Sequence, residues 1–487
     1  MKRSILLALI FLTGCPKADT TSGPPLGKLY FPMAVAHVDV PGSMNGVLFV
    51  ANADADKRYP TGSVVALTLD TLGLPPLGAD PSLDGGAAMV ARITALNIEP
   101  SQMVQIAAFS GEMAVHPIGP QTYRLYVPTR SEGMNMYQAT ATIDASGVPR
   151  LSCVGDESSQ DCFASGVSMT PTKFSGYDAG VQWPLTPYGV AAATRSCSVD
   201  ADCCPSDAPM CGRSCNSSKQ CLTADSTPFA DVWVAYSPRA DYPSLIGASP
   251  LLGYVARLDS DDFVLKDSSL IQIGVGAANS VAIAGPWVYV SGRILNPAPN
   301  LLRVVNRDPV VLSSNLESFF RVSDSRSLAL SSDGKRLFMV GRVPDTLLII
   351  NVDNTTSLPS LNFVRGIPLP DAPNDVKIIS RPGKGDLVAV SCTAAGSVVF
   401  YDDDVGDLVS YVGGLGNQPF GLAVDHRGNA ARIYVSLHGD GRIAVIDVPD
   451  LNRPQAARLV AHLGEQQLCL TRGSTSPGCV ASKEPAQ

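Results

Sequence analysis

The stretch "PFGLAVDHRGNAARIYVSLHGDGRIAVID", Pro419 to Asp447, decides the fold. It contains three apolar-rich runs, "GLAVDH", "RIYVSL" and "RIAVID", parted by the polar, glycine-bearing turns "RGNA" and "HGDG". Short runs rich in Val, Ile and Tyr with turn residues between them predict β-strands joined by tight turns. The same plan recurs upstream in "SRSLALSSDGKRLFMVGRVPDTLLIINVDN", "PNDVKIISRPGKGDLVAVSCTAAGSVVFYDDD" and "ANSVAIAGPWVYVSGRILNPAPNLLRVVNRD". Three longer copies precede these. They begin at Phe31, at Gly111 and at Pro187, the last breaking off after "PYGVAAATR" and resuming at "ADVWVAY". Seven units result.

One position in the first strand of each unit aligns as Ala34, Ala114, Ala191, Ala282, Ala329, Lys377 and Ala423. The last four stand 47, 48 and 46 residues apart, the length of a four-stranded propeller blade. The earlier steps are longer through loop insertions, which leaves room for a further blade. Fourth strands are predicted at "MVARITAL", "SLIQIGVG" and "ARLVAHLG". A sheet apolar on both faces cannot stand alone. A ring of such sheets stacked face to face buries both, so the predicted fold is all-β: a seven-bladed β-propeller over residues 29–464. No long segment has the 3.6-residue period an α/β fold would need.

The plan "P-x-G-x-A … D-G-x-x-x-Y-V-A-N … G-x-V-x-V-I-D", carried best by Pro419 to Asp447, resembles the YVTN-type repeats, relatives of the bacterial lactonase-like propellers. "LALSSDGKRLFMV" and "LFVANADADKRYPTGSVVALTLD" carry parts of it. The resemblance implies the fold. It does not choose a function, because such rings carry many.

The N-terminus pairs Lys2 and Arg3 with the apolar run Ile5 to Leu12, too short to span a bilayer. It therefore reads as a signal segment, residues 1–14. Leu12-Thr13-Gly14-Cys15 resembles the bacterial lipobox, which implies lipidation of Cys15 and a tether over residues 15–28. The resemblance further implies an outer-membrane address, because Pro16 and not aspartate follows the cysteine. The expected address is a Gram-negative-type cell envelope, on either its periplasmic or its outer face.

Export permits disulfides. Beyond Cys15, Cys153 pairs naturally with its neighbour Cys162, and Cys469 with Cys479 in the 465–487 tail. Six more, Cys197, Cys203, Cys204, Cys211, Cys215 and Cys221, crowd into an insertion over residues 195–230, between the first and second strands of the third unit. That run has too little apolar mass for a core and needs covalent staples. Fifteen pairings are open. Only Cys211 and Cys215 have zinc-like spacing and no histidine lies in the run, so disulfides are preferred to a metal. The run is similar to small cysteine-rich modules of secreted bacterial proteins, and it forms either a partner-binding knob or a plain decorated loop. Cys392 is left over and reads as a buried free thiol.

Net charge is −8 with no basic cluster, which argues against nucleic acid as a partner. The Walker loop, the G-x-S-x-G elbow, the H-E-x-x-H helix and the C-x-x-C-H haem site are all absent from the sequence. No cofactor is expected. Calcium is the one considered, at Asp402 to Asp407 or Asp259 to Asp262, but neither run has the spacing of a calcium loop and both read as solvated turns. First strands line a propeller's channel. Their leading positions bring together Phe31, Glu112, Tyr188, Asn279, Arg326, Asn374, Asp375 and Phe420 as the candidate lining of the channel mouth. Carboxylates, amides, one arginine and aromatics in one ring suit a sugar or a peptide loop. The leading expectation is a non-enzymatic scaffold for an envelope protein or a glycan, touching the membrane through its lipid anchor only. The alternative is an exported lactonase-like or other hydrolase, with Glu112 and Asp375 as acid and base beside Arg326.

Overall fold

The computed structural model describes residues 23–467, except 57–58, 78–89, 132–133, 171–184, 205–210, 239–251, 276, 294–299, 308–309, 318–321 and 355–358. The segments assigned to Cys15, Cys469 and Cys479 lie outside the described residues. The chain is a seven-bladed β-propeller, with seven sheets of four or five strands in sequence order. The innermost strands are Pro32–Val38, Ala114–Gly119, Leu185–Thr194, Ala277–Ala284, Ser323–Leu330, Pro373–Ile379 and Pro419–Arg427. In every blade the second strand returns antiparallel to the first.

Burial explains the ring. Second and third strands such as Leu387–Cys392 and Ser397–Asp402 are buried at every residue. Alternate side chains leave a strand on opposite faces, so each blade feeds two apolar layers. Phe49 and Val64 of blade 1 pack with Leu125 and Ala139 of blade 2, while Leu48 and Val50 on the other face pack with Tyr434 and Val445 of blade 7. Trp233 of blade 3, fully buried, meets Val281 and Val288 of blade 4. Blades 4 and 5, 5 and 6, and 6 and 7 share equivalent layers.

One predicted strand is placed differently. Within "MVARITAL", Ala91–Ile93 forms no part of blade 1's own edge and pairs parallel with Arg458–Leu463 of blade 7. Blade 1 takes Met103–Ile106 as its fourth strand instead. Both segments are short and apolar, and periodicity alone cannot tell which edge each completes. "SLIQIGVG" and "ARLVAHLG" do supply the outer strands Leu270–Val275 and Arg458–Leu463.

The cysteine-rich insertion leaves the third blade between Leu185–Thr194 and Ala230–Pro238. Its six cysteines join as Cys197–Cys215, Cys203–Cys221 and Cys204–Cys211. Arg213 clamps it to the blade, bonding Asp259 at 2.9 Å and Asp261 at 2.7 Å with its guanidinium 3.7 Å from the Phe229 ring centre. Cys153 and Cys162 are bonded beside blade 2. Cys392 is a buried free thiol, its pKa pushed up to about 12 chiefly by burial, so the reactive thiolate is suppressed.

Candidate functional site at the channel mouth

All innermost strands run the same way, so their first residues meet at one mouth of the channel. There the strands slip register against their neighbours. The slips fall between Ala278 and Val281, Ser325 and Leu328, Pro373 and Val376, and Pro419 and Leu422. Each slip frees two residues from the ladder: Asn279 and Ser280, Arg326 and Ser327, Asn374 and Asp375, Phe420 and Gly421. A bulge of this kind re-aims side chains out of the alternating pattern, and here it turns them to the axis. Three of the strands open with a residue at positive φ before proline: Phe31 at 49°, Ala372 at 56° and Gln418 at 55°. Non-glycine residues in this region carry about 1–3 kcal/mol of strain each, which the surrounding ring must offset.

Buried serines of the second strands hold the bulges and tie neighbouring blades together. Ser291 Oγ accepts from Ser280 N–H at 3.0 Å and donates to Arg326 C=O of the next blade at 2.6 Å. Ser391 does the same between Asp375 and Phe420, at 3.0 and 2.6 Å. Ser436 links Gly421 N–H at 2.8 Å to Met33 C=O at 3.1 Å, joining the last blade to the first. The innermost strands also touch directly. A Cβ on Gly189 would stand 2.1 Å from Asn279 O, and one on Gly421 2.6 Å from Met33 O. The glycine of the repeat plan is therefore needed for close approach of backbones.

The cavity measures about 120 Å³, is open on one side and takes a wall from each of the seven blades. Of the residues proposed from sequence, Glu112, Tyr188, Asn279, Asn374, Asp375 and Phe420 line it, while Phe31 and Arg326 do not. Phe31 and Phe420 flank His438, with ring centres 5.2 and 5.9 Å away. Arg326 Nη2 is paired with Asp324 at 2.7 Å.

Lys377, the one non-alanine in the aligned column, is a charged wall residue that lies beyond the leading positions of its strand. Its Nζ lies 3.1 Å from Asp375 Oδ1, and its side chain, ringed by blades, is still 42 % exposed to the channel. Asp375 also accepts from Ser327 Oγ at 2.7 Å, its neighbour Val376 N–H at 2.9 Å and Leu422 N–H at 2.8 Å, so one carboxylate ties blades 5, 6 and 7. Burial raises the Glu112 pKa to about 8. Asp375 adds to the rise, and Lys377, the Ser280 hydroxyl and Val190 N–H oppose it without cancelling it. Glu112 is therefore largely protonated at neutral pH. Burial lowers the Lys377 pKa, but Asp375 and Glu112 outweigh it and hold the ammonium above its ordinary range. Burial, reinforced by Arg130, pushes His438 down to about 4, so its imidazole is neutral.

No family model matches the chain, and no curated protein matches it. Solved structures do resemble it. A hydrazine synthase of Kuenenia stuttgartiensis is 12 % identical at a TM-score of 0.47, covering 89 % of this chain and 99 % of that one. The periplasmic gluconolactonase of Pseudomonas aeruginosa is 13 % identical at 0.42, with 78 % and 84 % covered. Sqt1 of Chaetomium thermophilum is 12 % identical at 0.46, with 90 % and 86 % covered. At these identities no activity passes to this chain.

The acidic runs weighed for calcium have arginine partners. Arg381 holds Asp402 at 2.8 and 2.6 Å, and Arg213 holds Asp259 and Asp261. His37, Asp39 and Asp425 present ligand atoms within 4.8 Å of one another, but Arg427 already pairs with both aspartates, at 3.3 and 2.9 Å.

Proposed function

We propose that this protein is a non-enzymatic, lipid-anchored binding propeller of the bacterial cell envelope, whose channel mouth takes a projecting group of a partner protein or glycan. The cavity size carries this reading. Pockets that enclose a small-molecule substrate measure roughly 300–1,000 Å³. A space of about 120 Å³ admits one side chain or one sugar substituent, with the rest of the ligand left on the mouth. The polar groups favour the same view. Asp375 is occupied by four donors, so it is not poised as a base. The hydrolase reading keeps one favourable observation: Glu112 is a buried acid near an ammonium. The envelope address rests on the Leu12–Cys15 sequence and on a disulfide-stapled insertion.

The test is crosslinking in intact cells followed by mass spectrometry, on the natural chain and on Phe420→Ala. A captured envelope component that is lost in the variant is expected. Turnover of a small ester or lactone by the purified protein, abolished by Glu112→Gln, would replace this reading with the enzyme.

A further inference from the structure

Three arginines crowd the mouth with little to balance them. Arg130 follows blade 2's second strand, Thr122–Pro128, and stacks 5.0 Å from the centre of the Tyr188 ring. Its Nε is buried without a hydrogen-bond partner, and no carboxylate pairs with it among the described residues. Arg326 is only 9 % exposed, and its Nε is likewise buried and unpartnered. Arg342, in blade 5's second strand Arg336–Val343, spends Nε on Pro373 C=O and Nη2 on Asn374 Oδ1, each at 2.9 Å and each a neutral acceptor. Burial, and then the charge of Arg326, depresses both Arg130 and Arg342, against the pull of Tyr188 on both and of Asp324 and Asp345 on Arg342, so both guanidiniums sense Arg326.

Against three positive charges stand two carboxylates, Asp324, paired with Arg326, and Asp345, opposite Arg342 in the next strand. Deeper in, Lys377 offsets Asp375, and Glu112 carries a proton at neutral pH. A chain of net charge −8 thus concentrates cations where its polar cavity opens. Like charges held together in a partly dry site raise its energy, and an oxyanion relieves that cost. The edge of a guanidinium that carries Nε fits the two oxygens of a planar carboxylate. Tyr188 is 5 % exposed and covered by Arg130, so the apolar surface left for a sugar ring is that of Phe420, partly buried in the cavity wall.

We infer that the channel mouth is a binding site for a carboxylated sugar, its carboxylate held between Arg130 and Arg326 and its ring against Phe420. This rests on the binding reading above and names its ligand class. The probe is calorimetric titration of the full chain in detergent with a uronate oligosaccharide. The matched neutral oligosaccharide, a glutamate-rich peptide and inorganic phosphate are run beside it. The uronate is expected to bind at least tenfold more tightly than the neutral sugar and to weaken as salt rises. Arg130→Met and Arg326→Gln are each expected to lose tenfold or more, with unfolding temperature measured to show that the ring is intact. Equal binding of the neutral sugar, tighter binding of peptide or phosphate, or folded arginine variants that bind as well as the natural chain would overturn the inference. So would silence from every probe while in-cell capture still depends on Phe420, an outcome that spares the broader reading. Loss of capture as well would remove both.

Discussion

At the scale of the residue, Glu112 makes the site dependent on pH. Its pKa near 8 in the fold lies above the ordinary 4.5, so between those values the native state holds a proton that the unfolded chain has released. Stability therefore falls as pH rises from about 4.5 to about 8 and levels off beyond. Lys377, Asp375 and the Ser280 hydroxyl are the groups that face it. Glu112→Gln should lose this component: urea unfolding at pH 5, 6.5 and 8 should show a shallower decline for the variant, and parallel declines would refute the assignment. His438 works in the other direction. Its lowered pKa means that stability is lost as pH falls from 6.5 towards 4, where the unfolded chain takes up the proton first. His438→Gln should flatten that limb, read from urea unfolding at pH 4 and 6.5. The candidate site was partly legible at this scale. Lys377 stood out as a lysine in a column of alanines. Arg130, Arg342 and His438 did not, because they come at or just after the ends of second strands, and a search of first strands cannot see residues that the return strand carries back to the same mouth.

At the scale of the element, the repeat was legible because every blade solves the same problem, burying both faces with turns at fixed intervals. What joins one blade to the next was less so. The "V-S" pairs of "YVSGR", "VAVSC" and "IYVSL" are visible in the sequence, yet only the fold shows Ser291, Ser391 and Ser436 bridging a bulge and a neighbouring carbonyl. Ser436→Ala would leave Gly421 N–H and Met33 C=O without this partner, and losing a buried hydrogen-bond partner costs about 1–3 kcal/mol. Gly189→Ala is expected to cost at least as much, because its new methyl would meet the backbone of Asn279 rather than a movable side chain. Denaturant midpoints measure both, and an unchanged midpoint for Gly189→Ala would show that the two strands do not approach as described. The insertion behaves as a separate element. Removing Cys203 and Cys221 together, both fully buried, should expose it to proteolysis while the ring's unfolding midpoint moves little. Loss of the ring along with the knob would mean that the two fold as one.

At the scale of the whole molecule, the seam between blades 7 and 1 differs from the other six, since no connecting loop crosses it. Side chains and one borrowed strand cross it instead. Ala91–Ile93, from the loop of blade 1, adds to the outer edge of blade 7, and Gly464 N–H continues the pairing to Ile93 C=O at 2.9 Å. Arg432, buried and ion-paired with Asp447, reaches Asn45 Oδ1 at 3.0 Å and Pro75 C=O at 2.6 Å. Lys28 meets Glu465 at 2.8 Å, and Gln467 bonds Leu29 C=O. A closed ring shares its strain among all its interfaces, so a weakened seam should lower the stability of every blade together. Ile93 packs against the apolar layer shared by blades 1 and 7, and Ile93→Asp puts a charge into it. The cost should fall near 1–3 kcal/mol, about 2–6 °C in midpoint for a ring of this size, with one cooperative transition retained. Val405→Asp, on a turn of blade 6 where the valine is already 66 % exposed, is the matched control. Equal midpoints for the two variants, followed by circular dichroism on heating, would show that the borrowed strand only decorates the edge. A lower midpoint for Ile93→Asp alone would show that this strand helps to close the wheel on which the channel mouth depends.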